Sequence, residues 1–383
     1  MKGHIRKRGQ RSWAIVLDLG RDANGKRRQK WHSVPGTKRD AERELARLLN
    51  DLNTGGYVEP TRLLVRDYLE KWLEVARTKV APKTYERYEE IVRLHLAPAL
   101  GHHQLAKLHS LHIESYYAEA LVSGRRNGRG GLSAQTVVHH HRVLHRALKQ
   151  AVQHLLIARN PCDAVEPPRP EKAEVRAVDE AQAAELLHSL KGTRLFAPTI
   201  LALVTGMRRG ELLALTWPDI DMENQVMSVR RSLQQTNEGV SVKMPKSGRG
   251  RTIALPPIAV EDLTRHKAEQ AQERLALGPA YENNGLVLAR ADGSVWPPDS
   301  FTSAFAAALR KAKLLHLNFH ALRHSHATML LKSGINPKVV SERLGHAKVG
   351  TTLDIYSHVL PGMQEEAAQR IDNALRKAIE ANW

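Results

Sequence analysis

The 383-residue chain predicts a multidomain, mainly α fold with small β-sheets, and three observations predict it. Apolar residues recur at helical spacing over most of 62–160 and again beyond 177. Strand-like alternation is confined to short runs near the N-terminus and between 225 and 255. A glycine pair and a proline cluster punctuate the chain between these regions, and the length exceeds one ordinary core.

Charge narrows the partner. Lys plus Arg number 58 against 40 Asp plus Glu, a net +18 with pI near 10.1. A surplus of that size favours a polyanion, nucleic acid before acidic membrane. It is also unevenly placed: residues 1–36 hold ten Lys/Arg against Asp18 and Asp22, giving +8. The lone cysteine, Cys162, allows no disulfide within a chain and lacks an evident base, so a reducing compartment is expected and a catalytic thiol is not. No apolar run approaches membrane-spanning length, and no apolar stretch follows the basic start to make a signal peptide. A cytoplasmic protein with no membrane partner is expected.

In the first module, 1–55, Trp13, Ile15, Leu17 and Leu19 alternate as a strand with one buried face. Asn24-Gly25 supplies a tight reversal, Arg27 to Val34 returns as a second strand, and Thr37 to Leu52 follows as a helix with Ala41, Leu45, Leu48 and Leu49 inward. A basic ribbon backed by a helix can enter a DNA groove, which makes Arg6, Lys7, Arg8, Arg11, Lys26, Arg27, Arg28 and Lys30 candidate DNA contacts. A solvated hairpin that binds nothing is the plain alternative. Thr54-Gly55-Gly56 ends the module.

The second module, 62–160, predicts four helices. Val65, Tyr68, Leu69, Trp72, Leu73 and Ala76 mark the first. The second runs from Lys83 to Leu96 with Tyr85, Tyr88 and Val92 inward, and the third from His112 to Val122. The fourth begins at the cap Ser133 and carries Val137, His141, Leu144, Leu148, Val152 and Leu155 on one side. The tyrosines and Trp72 read as core. His139-His140-His141 points in three directions on a helix, so solvated or groove-facing histidines are favoured over a metal site. Arg125, Arg126 and Arg129, on the glycine-rich loop 123–131, are either phosphate contacts or a mobile loop. Pro161, Pro167, Pro168 and Pro170 then read as a linker.

The third module, 172–383, carries the chemistry. Asp179 and Gln182 form a capping box; a second helix closes at Thr205-Gly206, and Arg208 opens the next, where a guanidinium joins the positive end of a helix dipole. Glu211, one turn on, can orient Arg208. Gln225–Leu233, Gly239–Met244 and Arg251–Leu255 predict three strands of one small antiparallel sheet, with Lys246 held out on the turn before Arg251 and Lys243 as its rival. Asn318 to Leu331 predicts a helix placing His320, Arg323 and His324 on one face. Asn336-Pro337 starts a further helix that Gly345 closes, putting His346 at a helix C-terminus and Tyr356 on a short helix beyond. The tail helix from Met363 carries Ile371, Leu375 and Ile379 as an apolar stripe that caps its own domain or a neighbour. Zinc at His320, His324 and His326 is disfavoured because Arg323 would repel it, and no carboxylate cluster suggests Mg²⁺.

Thr205-Gly206-x-Arg208-x-x-Glu211-Leu212, Pro245-Lys246, His320-x-Leu322-Arg323-His324, Leu344-Gly345-His346 and Tyr356 together resemble the tyrosine recombinases, the phage integrase family. The likeness covers 172–383 well, and the preceding modules resemble the arm-binding and core-binding domains of integrases from temperate phages and integrative elements. Tyr356 stands ten residues past His346, where many relatives have nine. The resemblance implies a site-specific recombinase that cuts and rejoins double-stranded DNA through a 3′-phosphotyrosine without metal, ATP or other cofactor. Tyr356 would be the nucleophile, Arg208 and Arg323 the phosphate clamp, His320 a proton acceptor, His346 a phosphate donor and Lys246 the acid, supported by Glu211 and His324. It further implies a homotetramer on core-type and arm-type sites in a bacterial cytoplasm, and leaves open host bending and directionality factors. A type IB topoisomerase and a non-catalytic DNA-binding regulator on the same fold are the alternatives.

Overall fold

The computed structural model describes residues 3–21, 25–53, 62–171, 177–245, 248, 250–314, 317–356 and 363–382. The chain divides into two compact units, Met1–Lys172 and Ala173–Trp383.

The first unit opens with an antiparallel sheet of β1 (Gly3–Gly9), β2 (Ser12–Arg21) and β3 (Arg27–Pro35), in the order β1-β2-β3. Helix α1 (Lys38–Asn53) covers one face, where Ile15, Leu17 and Leu48 are buried with Ile5, Val34 and Leu45 around them. The alternation in the sequence suggests one buried face, but Ala14 and Val16 on the opposite face are also only 2% exposed. The reason is that β2 is the central strand: Val16 pairs with His4 on one side and Trp31 on the other, and those larger side chains shelter it. Asn24, Thr54, Gly55 and Gly56 lie outside the described residues.

The helical part of this unit has its own core. Helix α2 (Val65–Arg77) buries the six residues that its spacing marks, Val65, Tyr68, Leu69, Trp72, Leu73 and Ala76. Helix α3 (Pro82–Ile91) runs through a π-helical segment, Val92–Leu96, into the short α4 (Ala97–Leu100). Helix α5 (Ser110–Ser123) follows, then α6 (Ala134–Gln153), whose cap Ser133 accepts from the Thr136 amide. Leu155 does not extend the apolar side of α6: it lies past the helix end at φ 55° and is 61% exposed. His140, expected to be solvated or groove-facing, is instead 1% exposed. Its Nδ1 meets the Tyr116 hydroxyl at 2.7 Å, and the His141 Nδ1 meets the Tyr117 hydroxyl at 2.8 Å. Two buried phenols thus obtain partners that an apolar core could not offer, which is why histidine stands there. Cys162 and Val165 pack into the same core, so the proline-rich stretch begins inside the folded module.

The second unit begins with α7 (Glu180–Leu190), closed at its start by the reciprocal Asp179–Gln182 capping box, and α8 (Phe196–Thr205). The five-residue α9 (Arg209–Leu213) precedes a small β region. Here one expected sheet is two. Strands β4 (Ile220–Asp221), β5 (Val226–Val229) and β8 (Arg251–Ala254) form one, while β6 (Ser232–Thr236) and β7 (Gly239–Lys243) form a separate hairpin. The predicted strand 225–233 breaks at Arg230-Arg231, where Arg231 turns to bond Thr216 Oγ1 and Asp219 Oδ2, each at 2.6 Å. Helices α10 (Pro257–Leu277) and α11 (Pro298–Lys311) complete the main core around Phe301 and Phe305. Then come α12 (Ala321–Lys332), α13 (Pro337–Leu344), α14 (Val349–Tyr356) and α15 (Met363–Asn382). On α15 the stripe Ile371, Leu375 and Ile379 is 62%, 58% and 56% exposed, so it is not covered by the described residues.

Candidate active site

The site assembles where α8, α12 and α13 converge. Thr205-Gly206 ends α8 with Gly206 in the left-handed region at φ 63°, and a Cβ there would stand 2.6 Å from the His326 ring. Glycine is required twice, by conformation and by contact. That turn delivers Arg208, which sits at the N-cap of α9 rather than within its first turn. Arg208 Nη1 donates to Glu211 Oε1 at 2.8 Å, and the Arg208 amide donates to Oε2 at 3.1 Å, so one carboxylate fixes both ends of the residue.

Glu211 is 1% exposed. Burial works to raise its carboxyl, but the hydrogen bond from Arg251 and the charges of Arg251 and Arg208 outweigh it and hold Glu211 below its ordinary value. A buried carboxylate between two guanidiniums is a fixed anion, not a proton donor.

On α12, Arg323 is 3% exposed and donates to Gly206 O and Leu344 O, both at 2.7 Å. It therefore ties the α8 turn to the end of α13. His320 stands at the open N-cap of α12, with its ring 4.9 Å from that of His324. Loss of hydration, then His324, Arg323 and Arg208, lowers the His320 imidazole, and burial followed by Arg323 lowers that of His324.

Gly345, at φ 66°, caps α13 and places His346 beside the arginines. A histidine at a helix C-terminus gains roughly 0.3–1 kcal/mol as a cation. Here desolvation, with Arg323, Arg208 and Arg251 close by, wins and takes His346 down to about 4. Its Nδ1 meets Thr352 Oγ1 at 2.8 Å, and Thr352 is fully buried. Tyr356 ends α14 four residues after Thr352, on the same face of the helix; its side chain, like all of Lys246, lies outside the described residues. Lys243 is on the adjoining hairpin, where its Nζ bonds Gln234 Oε1. Among the described residues, no group of three His, Cys, Asp or Glu side chains is arranged to hold a metal, and the His326 Nδ1 is engaged with Leu203 O at 2.8 Å.

Arg208, Glu211, His320, Arg323, His324 and His346 are thus brought together in this unit. Sequence reasoning missed Arg251 and Thr352. Arg251 falls inside a predicted strand and Thr352 inside the Tyr356 segment, and neither carries a local pattern that marks it.

The DNA-contact candidates belong to the first unit. Arg6, Lys7 and Arg8 on β1, Arg11 on the following turn, Lys26 ahead of β3, and Arg27 and Arg28 on it are exposed, and Lys30 is half-buried. Arg125, Arg126 and Arg129 are exposed on a turn closed by the Gly128 amide to Arg125 O and by Arg125 Nε to Gly131 O.

A profile of the phage integrase family matches residues 176–363, and one of the N-terminal SAM-like domain of phage integrases matches 64–121. A tyrosine recombinase XerC-like protein of Caldanaerobacter subterraneus subsp. tengcongensis is 30% identical over 96% of this chain and 97% of its own. The chain belongs to the phage integrase family. It is a site-specific integrase, a tyrosine recombinase acting on DNA. The integrase shares its fold with the Tn1549 transposon integrase in complex with circular-intermediate DNA, at TM-score 0.68 and 21% identity over 80% of this chain and 99% of that one. It shares it also with a λ integrase tetramer bound to a Holliday junction, at TM-score 0.55 and 18% identity over 90% and 95%. No helix among the described residues is long and apolar enough to cross a membrane.

Proposed function

We propose that Tyr356 of this integrase attacks a DNA phosphodiester held by Arg208 and Arg323. The tyrosine oxygen bonds to phosphorus, its proton passes to His320, the bond to the 5′ oxygen breaks, and Lys246 protonates that oxygen. The 3′-phosphotyrosine keeps the bond energy for rejoining, with no metal, ATP or other cofactor. A phenol with an ordinary pKa near ~10 needs this help at neutral pH. His320 fits the acceptor role because its neighbourhood keeps it neutral. In the tautomer where Nδ1 accepts from Thr352, the His346 proton sits on Nε2, available to a phosphate oxygen. Glu211 and His324 support the clamp.

One observation carries the reading: Arg208, Arg323 and the His346 turn meet at a single point, the end of α13, with Arg323 on Leu344 O and Arg208 Nη2 3.4 Å from Gly345 O. Preorganised donors of this kind stabilise charge that develops on a phosphorane.

The three-module reading follows. Residues 1–55 would bind arm-type sites, 62–160 and 172–383 would clamp core-type sites, and four protomers would act on two duplexes in the bacterial cytoplasm. The exposed basic strands β1 and β3 support the first assignment, and the fold shared with a λ integrase tetramer on a Holliday junction supports the last. The separate basic module disfavours a topoisomerase, which needs no second DNA address.

The test is a nicked suicide substrate incubated in EDTA with the integrase and with Tyr356→Phe. A covalent adduct is expected for the first alone. An adduct that survives the substitution, or one that vanishes on chelation, overturns the mechanism.

A further inference from the structure

Arg251 is the first residue of β8 and is placed by the sheet rather than by any helix of the site. Its side chain is 10% exposed. Nη2 donates to Glu211 Oε2 at 2.7 Å, and Nε donates to Arg343 O at 2.8 Å. Nη1 is buried without a hydrogen-bond partner among the described residues, pressed against Gly345, where a Cβ would stand 2.9 Å from it. Its donors are turned to Glu211, to Arg343 O and against Gly345 rather than outward, and a buried donor left unpaired costs about 1–3 kcal/mol. Such a residue persists when the surrounding geometry depends on it.

The three carbonyls at the end of α13 show that dependence. Arg343 O accepts from Arg251, Leu344 O from Arg323 and Gly345 O from Arg208. Helix C-termini leave carbonyls without intrahelical partners and carry the negative end of the dipole, so each is a natural seat for a cation. Two of the arginines form the phosphate clamp. The third reaches around to the carboxylate that orients Arg208.

We propose that Arg251 is a positioning residue for strand cleavage: bonded at one end to Glu211 and at the other to the α13 terminus, it sets the distance between Arg208 and the His346 turn. The inference rests on the phosphodiester reading above. Because the fork must bridge two acceptors, positive charge alone does not suffice, and lysine, a single donor point, cannot replace it.

Single-turnover cleavage of the nicked substrate, measured with the full chain at saturating DNA, tests this beside core-site affinity and thermal melting. For both Arg251→Lys and Arg251→Met the cleavage rate constant is expected to fall 10- to 100-fold while the core-site Kd stays within about 3-fold, because binding energy comes from phosphate contacts that Arg251 does not make. Arg251→Lys controls for charge and Arg251→Met for volume. Melting above the assay temperature for both variants separates a positional defect from failure to fold. If Arg251→Lys cleaves at the wild-type rate, charge is sufficient and the two-ended tie is wrong. If the rate falls and Kd rises in parallel in both variants, Arg251 is merely structural and the proposal fails. Wild-type adduct that needs Tyr356, alongside unimpaired Arg251 variants, rejects this inference while leaving the phosphotyrosine reading intact; no wild-type adduct rejects the reading itself.

Discussion

The candidate active site and the N-terminal sheet are both rich in arginine, yet they use it in opposite ways. In the pocket Arg323 is 3% exposed, and Arg208, Arg251 and Arg323 each hold a named carbonyl or carboxylate. On the sheet Arg6 leans over Trp31, its Cζ 5.7 Å from the ring centre, and Arg27 pairs with Asp18 while remaining 66% exposed. The pocket commits each charge to one direction in a dry setting, where reorganisation would be costly. The sheet keeps its charges hydrated and interchangeable, which suits attraction to a phosphate backbone but not chemistry. Substitutions in the two regions should therefore fail in different observables.

The largest effect is expected in the pocket. Arg208→Ala should lower single-turnover cleavage by at least about 10²–10³-fold, the range for one lost preorganised donor, with core-site Kd changed far less. A parallel loss of binding would erase the contrast between the regions. Next is Gly345→Ala, which forces an L side chain into φ 66° and toward Arg251. It should cost about 1–3 kcal/mol of stability and cleavage beyond that loss, read by chemical denaturation beside the nicked-substrate assay; wild-type cleavage would mean the turn is not shared.

Acid should act on the pocket too. His326 and His346 are both lowered to about 4, by burial first, against an ordinary 6.5. The unfolded chain therefore takes up protons that the folded chain refuses between these values. Stability is full above about pH 6.5 and should decline as pH falls toward 4. Denaturation series at several pH values check the sign, and a rise in stability on acidification would contradict it.

Smaller effects belong to the sheet. Arg28→Ala should leave cleavage on core-only substrates unchanged and reduce the salt slope of arm-DNA binding by about one; an unchanged slope would remove Arg28 from the DNA footprint. Arg27→Ala, an exposed ion pair, should leave the melting temperature unchanged within error, and a clear drop would show that the sheet depends on its charges for folding.

Much of this was legible in the chain because the relevant physics is local. The stripe on α2 and the cap of α6 follow from residues within one or two helical turns, and Gly206 and Gly345 announce helix ends by type alone. The failures share a different cause. That His140 is core, that β6 and β7 leave the main sheet, and that β2 is sheltered on both faces all depend on partners far along the chain, such as Tyr116 for His140 and Trp31 for Val16.

The order of the candidate site residues was written in the sequence, where spacing fixes helical phase, and the chemistry expected of them came from their resemblance to the phage integrase family. The depth of Glu211, the recruitment of Arg251 from a strand 40 residues away, and the hydroxyl that orients His346 were decided only by packing. Periodicity speaks to neighbours within a turn, whereas a guanidinium finds its carbonyl wherever the fold brings one.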